Sequence, residues 1–186
     1  MYLRMIKPAI DISISVFALG FLFPILLLAA AAILIDDGRP TLFVHERIGR
    51  GGRRFQIFKF RSMGKDSAIV ESTQATTLRV TRVGAVIRRL NIDELPQLIN
   101  VLRSEMSVVG PRPHALGSQA GKKLFWEVDT DYWQRHALKP GLTGLAQVRG
   151  HRGATETEGH LKDRLQADLE YIRNWSVLRD IKIIFA

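Results

Sequence analysis

The chain falls into two regions of opposite hydrophobic pattern. Residues 12–35 (ISISVFALGFLFPILLLAAAAILI) form a run of 24 without a charge, fenced by Asp11 before it and Asp36-Asp37 after it. As one continuous helix this run would be about 36 Å long, enough to cross a hydrocarbon core of about 30 Å. Beyond Asp36 the apolar residues are spaced rather than massed. Residues 41–46 (TLFVHE) read as a short strand, Gly49-Arg50-Gly51-Gly52 as a turn, and 55–60 (FQIFKF) as the returning strand of a hairpin. Residues 64–77 are polar and unpatterned, a loop. Two helices are expected next. In 81–90, Val83, Val86, Ile87 and Leu90 share one stripe; in 93–103, Leu95, Leu98, Ile99 and Leu102 repeat at i, i+3, i+4, i+7. Asp93 is placed to cap the second of these, with Pro96 in its first turn, where a missing N–H costs nothing.

The remaining pattern is sparser. Residues 106–109 are a short apolar stretch closed by Gly110-Pro111-Arg112-Pro113. Residues 139–144 (KPGLTG) form a rigid turn leading to a strand-like 145–148. Leu161, Leu165, Leu169 and Ile172 mark a last amphipathic helix, and 178–185 stay apolar to the end, as in a chain shortened there. The fold class is therefore mixed α/β, helix-rich, with a short β-hairpin and small strands. One domain at 39–186 follows a membrane-associated segment at 1–38.

Four readings of the apolar run compete. A core helix of 24 apolar residues exceeds what so small a domain can wrap. A cleaved signal peptide has a shorter apolar stretch than this one. A spanning helix and a re-entrant one remain, since Pro24 in mid-segment removes a backbone hydrogen bond and clashes with the preceding turn, which either can absorb. Arg4 and Lys7 precede the run, and Arg39, Arg47, Arg50, Arg53 and Arg54 follow it. Positive residues favour the cytoplasmic side, and a helix that dips in, bends at Pro24 and returns puts both ends there.

Charge and composition narrow the chemistry. The chain has no cysteine, which excludes disulfides, thiolate catalysis and Cys-ligated zinc or iron–sulfur sites. Lys plus Arg at 27 against Asp plus Glu at 18 gives +9, favouring nucleic acid, phosphorylated metabolites or acidic lipid as partners. The paired carboxylates Asp93-Glu94 are the candidate chemistry. An acid pair opening a helix is most often a cap and dipole partner. Here Arg88 and Arg89 precede it, and Arg112 follows on a proline-stiffened loop. A carboxylate nucleophile held ionised at a helix N-terminus, with arginines beside it, suits attack on a phosphoryl group that would otherwise repel it. The neighbouring carboxylate could hold a divalent cation or take a proton. Other signals are poor. Gly117 to Lys123 is one residue short of a P-loop, there is no GxGxxG or G-x-S-x-G, and His45, His114, His136, His151 and His160 lack ligand spacing and are assigned to surface or core. No helix-turn-helix or RNA-binding signature is present. Trp126, Trp133 and Trp175 suit either a membrane interface or the core.

Residues 88–101 (RRLNIDELPQLINV) and 106–113 (MSVVGPRP) resemble the bacterial sugar transferases, the monotopic phosphoglycosyl transferases. The likeness extends to Glu46-Arg47-Ile48-Gly49, to 59–63 (KFRSM), and to the tail at 139–148 and 168–176, which is most similar to the catalytic domain of undecaprenyl-phosphate hexose-1-phosphate transferases. The four-helix membrane bundle that often precedes that domain is not among these residues. The resemblance implies a ping-pong enzyme on the cytoplasmic face of the bacterial inner membrane, anchored in the lipid bilayer by a re-entrant helix broken at Pro24. Asp93 would attack the β-phosphorus of a nucleoside diphosphate sugar (a UDP-hexose by family habit), and polyprenyl phosphate would take the sugar phosphate. Glu94 is linked in this family to Mg2+ and to deprotonating the acceptor, with Asp93 beside it. Lys59, Arg61, Arg88 and Arg112 stand at basic positions near the phosphates, and Asp168 at an acidic one. No nucleic acid is expected, and a homodimer is left open. Two positions depart from the pattern: Phe23-Pro24 replaces the usual Ser-Pro, so no serine hydroxyl can bond the freed carbonyl, and Ser104 stands where glycine is common. The alternative is a non-enzymatic, membrane-anchored basic module that binds anionic lipid or nucleic acid.

Overall fold

The apolar run folds as part of one long helix, α1 (Leu3–Asp37), with Pro8 and Pro24 inside it. The computed structural model describes residues 3–64, 80–153 and 155–186, so most of the loop expected at 64–77 lies outside the described residues. Asp11, Ser15, Ala29 and Ile33, which fall on one face at helical spacing, are buried, while Phe17, Phe21, Leu28 and Ile35 on the opposite face are exposed. Both ends of the buried face are tied to the same body. Near the start, the Asp11 carboxylate accepts hydrogen bonds from the Ser107 hydroxyl at 2.7 Å and the Val108 N–H at 3.0 Å, and Lys7 pairs with Asp180 at 2.6 Å. Near the end, Asp36 accepts from the Val83 N–H, and Arg61 pairs with Asp37 while donating to the carbonyls of Asp37 and Gly38.

The hairpin forms as expected and one residue longer. β1 (Leu42–Ile48) and β2 (Arg54–Phe60) pair antiparallel with Leu42 opposite Phe60 and Ile48 opposite Arg54. The turn between them is a short 3-10 segment, Arg50–Gly52, in which Gly51 and Gly52 take positive φ of 66° and 76°, open to glycine without a Cβ penalty. α2 (Arg82–Arg89) starts on Thr81, whose hydroxyl accepts from the Gly84 N–H at 2.9 Å. Of its expected stripe, Ile87 is buried and Val83 packs beside it, but Val86 and Leu90 are exposed.

The second expected helix is corrected. Asn91 turns the chain in the left-handed region at φ 56°, Ile92–Gln97 is a 3-10 helix containing Asp93, Glu94 and Pro96, and only α3 (Leu98–Leu102) is α-helical. Pro96 cannot donate to the carbonyl four residues back, so the chain winds tighter before it. Asp93 thus sits within the turn and is not its cap. α3 is stapled to β2 by the buried Asn100, whose amide accepts from the Phe58 N–H at 3.1 Å and donates to the Gln56 carbonyl at 2.7 Å. Ser104 follows at φ 61°, a conformation glycine takes freely, which is the physical content of the glycine common at this place.

β3 (Ser107–Val109) is the expected apolar stretch, and it finds a distant partner. After it, β4 (Gln119–Ala120) and β5 (Lys123–Leu124) make a two-residue hairpin that leads to α4 (Phe125–Val128) and a 3-10 helix, Tyr132–Ala137. β6 (Gly141–Thr143) then lies parallel to β3, with Ser107 opposite Gly141 and Val109 opposite Thr143. The backbones approach so closely that a Cβ on Gly141 would sit 2.1 Å from the Gly110 nitrogen, and one on Gly144 2.2 Å from the Gly110 oxygen. Residues 145–148 were expected as a strand and are helical, α5 (Leu145–Val148). The strand had already been spent on 141–143, and Leu, Ala and Gln are good helix formers. α6 (Glu158–Arg173) is capped by Thr157, and α7 (Val177–Ile184), expected as an apolar tail, is capped by Ser176 and carries Arg179, Asp180 and Lys182 among its apolar residues.

Among the described residues three apolar clusters hold these pieces together. Ile57, Val101, Met106, Val109, Tyr171 and Ile183 form the central one, with Ile14 of α1 against it. Phe125, Tyr132, Leu161 and Leu165 form a second, beneath α6. Ala29 and Ile33 of α1 join Phe60 and Ile87 in the third. Trp175 packs on the first cluster and donates to Asp180, Trp126 packs on the second, and Trp133 stacks on Trp126 and is half exposed.

Candidate active site

The 3-10 turn presents Asp93 and Glu94 toward β2 and the Gly110–Pro113 loop. Because α3 is stapled to β2 through Asn100, Lys59 near the end of β2 arrives at Glu94, its Nζ 2.7 Å from Oε1. Arg112 arrives from the other side with a forked pair of contacts, Nη2 to Oε1 at 2.6 Å and Nη1 to Oε2 at 3.2 Å. Its loop is fixed by backbone bonds across β3 and β6: the Gly110 N–H donates to Thr143, and the Gly141 N–H to Pro111. Burial alone would raise the Glu94 pKa, yet Arg112 and Lys59 together bring it down to about 2. Glu94 is an ionised clamp. Asp93 is the opposite case: burial first, and then the Glu94 charge, raise its pKa, against weaker pulls from Lys59 and Arg88. Among the described residues it has no salt-bridge partner. The dipole of so short a turn does not prevail there.

Other expected site residues fall differently. Arg88, exposed on the last turn of α2, acts on Asp93 through its charge. Arg61, expected near the phosphates, is buried, and its Nη2 meets the last carbonyls of α1 and Asp37, which ties the helix down. Asp168 does not touch the dyad. It is buried and accepts from Arg135 Nε at 3.0 Å and Nη2 at 2.7 Å. Burial pushes its carboxyl up in pKa, and the guanidinium opposes that. Arg135 in turn donates to the Arg112 carbonyl at 2.8 Å and lies 2.6 Å, through Nη1, from His114 Nδ1. Asp168 therefore supports the dyad's arginine at one remove.

Beside the clamp opens a cavity of about 330 Å³ whose walls include Lys59, Gln97, Arg112, His114, Phe125 and Arg164. Among the described residues no three His, Cys, Asp or Glu side chains gather as a metal cage. Mg2+ is commonly held by one or two carboxylates plus substrate phosphates, and the dyad fits that use. Among the described residues Asp93 has no ion-pair partner, and Glu94 Oε2 accepts one hydrogen bond, so it keeps a lone pair.

Residues 2–186 match the family model for bacterial sugar transferases. The chain belongs to that family. An undecaprenyl-phosphate glucose phosphotransferase of Komagataeibacter xylinus is 51% identical over 182 residues, covering 96% of this chain and 34% of that protein. The exopolysaccharide production protein PSS of Rhizobium leguminosarum bv. phaseoli is 46% identical over 183 residues, 97% of this chain and 92% of that protein. A UDP-glucose:undecaprenyl-phosphate glucose-1-phosphate transferase of Escherichia coli (strain K12) is 43% identical over 185 residues, 98% of this chain and 39% of that protein. The chain thus spans about a third of the first relative and nearly all of the second.

Within this bacterial sugar transferase, sequence reasoning missed His114, Arg135 and Arg164. One signal was available for the last. Arg164 and Asp168 share the stripe of Leu161 and Leu165 on α6, so two charges lie on an apolar face, where they need a reason. No local pattern marks Arg135 or His114, whose roles come from contacts made across the fold.

Proposed function

We propose that this bacterial sugar transferase moves a sugar 1-phosphate from a nucleoside diphosphate hexose, with UDP as the nucleotide, to polyprenyl phosphate at the cytoplasmic face of the inner membrane. This would be the first membrane step of exopolysaccharide or lipopolysaccharide assembly. The carrying observation is the division of labour in the dyad: Glu94 is neutralised by Lys59 and Arg112, while Asp93 has no ion-pair partner among the described residues and is more basic than an ordinary aspartate. The names of the relatives point the same way.

In this reading an Asp93 carboxylate oxygen attacks the β-phosphorus. The bond from that phosphorus to the bridging oxygen breaks, and nucleoside monophosphate leaves. A phosphate oxygen of the acceptor then attacks the same phosphorus, the phosphorus–Asp93 bond breaks, and polyprenyl diphosphate sugar departs with the aspartate regenerated. Lys59 and Arg112, oriented by Glu94, bear on the phosphoryl charge that builds in each step, where positioning and electrostatics supply most of the catalysis. Mg2+, held by Asp93 and Glu94 with the substrate phosphates, would neutralise phosphoryl charge when bound.

The acceptor side is supported by an apolar groove between α1 and α2, lined by Leu28, Ala32, Val83, Val86 and Ile92, the last adjacent in sequence to Asp93. The membrane topology rests on the anchoring of α1. Asp11 and Asp36 contact one body, whereas a helix spanning the hydrocarbon would carry its ends to opposite sides of it. α1 runs through Pro24 as one helix with both anchors made and Phe17, Phe21 and Leu28 exposed; the bend at Pro24 belongs to the proposed lipid-inserted state. The basic-module alternative has no observation of its own in its favour.

The test is release of nucleoside monophosphate. Protein in detergent with Mg2+ and undecaprenyl phosphate is offered UDP-glucose, UDP-galactose, UDP-N-acetyl sugars and GDP-mannose, beside Asp93→Asn. Release with one donor and its loss by at least about 10³-fold in the variant is expected. Equal release by both proteins would sink the covalent role.

A further inference from the structure

Among the described residues, the cavity beside the clamp holds three buried donor atoms with nothing to donate to. Arg164 is 5% exposed; its Nη2 donates to the Gly153 carbonyl at 3.1 Å, its Nε has no partner, and among the described residues no carboxylate lies within salt-bridge distance. The Gln97 Nε2 and His114 Nε2 are likewise buried and unpartnered. The His114 tautomer follows from its neighbour. A guanidinium can only donate, so Nδ1, 2.6 Å from Arg135 Nη1, accepts, and the ring hydrogen stays on Nε2. Burial and the surrounding arginines hold that ring neutral. Asp168 keeps Arg135 in place with two hydrogen bonds, so the direction of the His114 donor is set from α6.

Buried donor atoms left unpaired, one of them on a cation with no carboxylate within salt-bridge distance among the described residues, cost stability. Such a cost is retained in a wall that receives an acceptor-rich ligand. All three orphaned atoms are donors. A sugar ring, which brings hydroxyl hydrogens as well as oxygens, matches them less well than a phosphate and a pyrimidine with its carbonyls. Position agrees. Lys59 and Arg112 line the cavity and also hold Glu94, whereas Asp93 is not in its wall. A group leaving in line with attack by Asp93 must depart away from Asp93.

We infer that this cavity is the seat of the nucleoside monophosphate half of the donor, with Arg164, His114 and Gln97 donating to its acceptor atoms. The inference rests on the transferase reading above and adds to it which side chains hold the leaving group. Arg135 and Asp168 are positioning residues, acting through His114 and Arg112.

UMP is the probe, titrated into the full chain in detergent by calorimetry and by thermal shift. Arg164→Met keeps the length and removes the donors. UMP affinity should fall about 10- to 100-fold, and the stabilisation by UMP should fade. The melting temperature without ligand should hold or rise, because an unpaired buried cation has gone. A merely structural arginine would lower that temperature and leave UMP affinity alone, which overturns the inference. Glucose 1-phosphate is the control; if Arg164→Met weakens it and spares UMP, the cavity belongs to the sugar half and the inference fails. Should the variant not fold, amide hydrogen exchange in the wild-type chain decides: UMP must slow exchange at 112–119, and unchanged rates there overturn the proposal. Wild-type turnover of the donor panel described above is followed in parallel. UMP binding lost in Arg164→Met without any turnover by wild type would refute the transferase reading and leave the nucleotide seat standing. Turnover with UMP affinity unchanged by the substitution would do the reverse.

Discussion

Asp93 and Glu94 are adjacent carboxylates with opposite thermodynamic roles, and stability measurements can separate them. The pKa of Glu94 is lowered from an ordinary 4.5 to about 2. Its ionised form therefore stabilises the fold at all pH values above about 4.5, and that contribution drains away as pH falls toward 2. Glu94→Gln should cost about 3 kcal/mol at pH 7, shrinking toward nothing near pH 2, as read from denaturant melts across that window. The Asp93 pKa is raised, so its ionisation costs stability once the pH exceeds its unfolded value. Asp93→Asn should raise the melting temperature at pH 7 while abolishing turnover, and a fall would contradict the desolvated, repelled carboxylate described above. The acid pair and its basic company were legible in the sequence. That Lys59, rather than Arg61, reaches Glu94 was not. Strand alternation puts residues 59 and 61 on the same face, and only the packing of α1 shows that Arg61 Nη2 is bonded to a helix end.

At the level of elements, the site depends on two joints. One is the parallel contact of β3 with β6, which fixes the loop bearing Arg112. A methyl on Gly141 would lie 2.1 Å from the Gly110 nitrogen and 2.4 Å from the Thr143 oxygen, both backbone atoms that cannot swing aside. Gly141→Ala should lose about 3 kcal/mol of stability and turnover with it, whereas Gly51→Ala, at a hairpin turn with open space around it, should leave turnover unchanged even if it strains the turn. The second joint is the apolar groove between α1 and α2. Val86 is exposed there, so Val86→Asp should fold normally. In single-turnover assays it should release nucleotide at the wild-type rate yet fail to pass the sugar phosphate to polyprenyl phosphate. Loss of both half-reactions together would argue that the groove is not an acceptor route. Both joints couple segments far apart in sequence, which is why periodicity found the pieces and misread 145–148 as a strand.

For the whole molecule, the arrangement that matters is α1 lying against the rest of the fold with both ends attached. The chain contains no cysteine, so single introduced cysteines report topology without background. In inverted and right-side-out vesicles, Met5→Cys and Lys182→Cys should be labelled from the same side by a membrane-impermeant maleimide, and Phe21→Cys from neither. Labelling of Met5→Cys from the opposite side would establish a spanning helix.

The sequence by itself determined the apolar segment and its boundary at Asp36-Asp37, the hairpin, the carboxylate pair with nearby arginines, and a likeness to one family. Each of these is written in neighbouring residues, through periodicity, charge or a continuous motif. The tertiary structure decided which cation meets which carboxylate, that Asp93 lies in a tight turn beside a proline instead of capping a helix, and that Asp168 works through Arg135. It also decided that His114 and Arg164 face a cavity with unspent donors. Those outcomes depend on burial and on contacts between residues dozens of positions apart, and no local spacing encodes them.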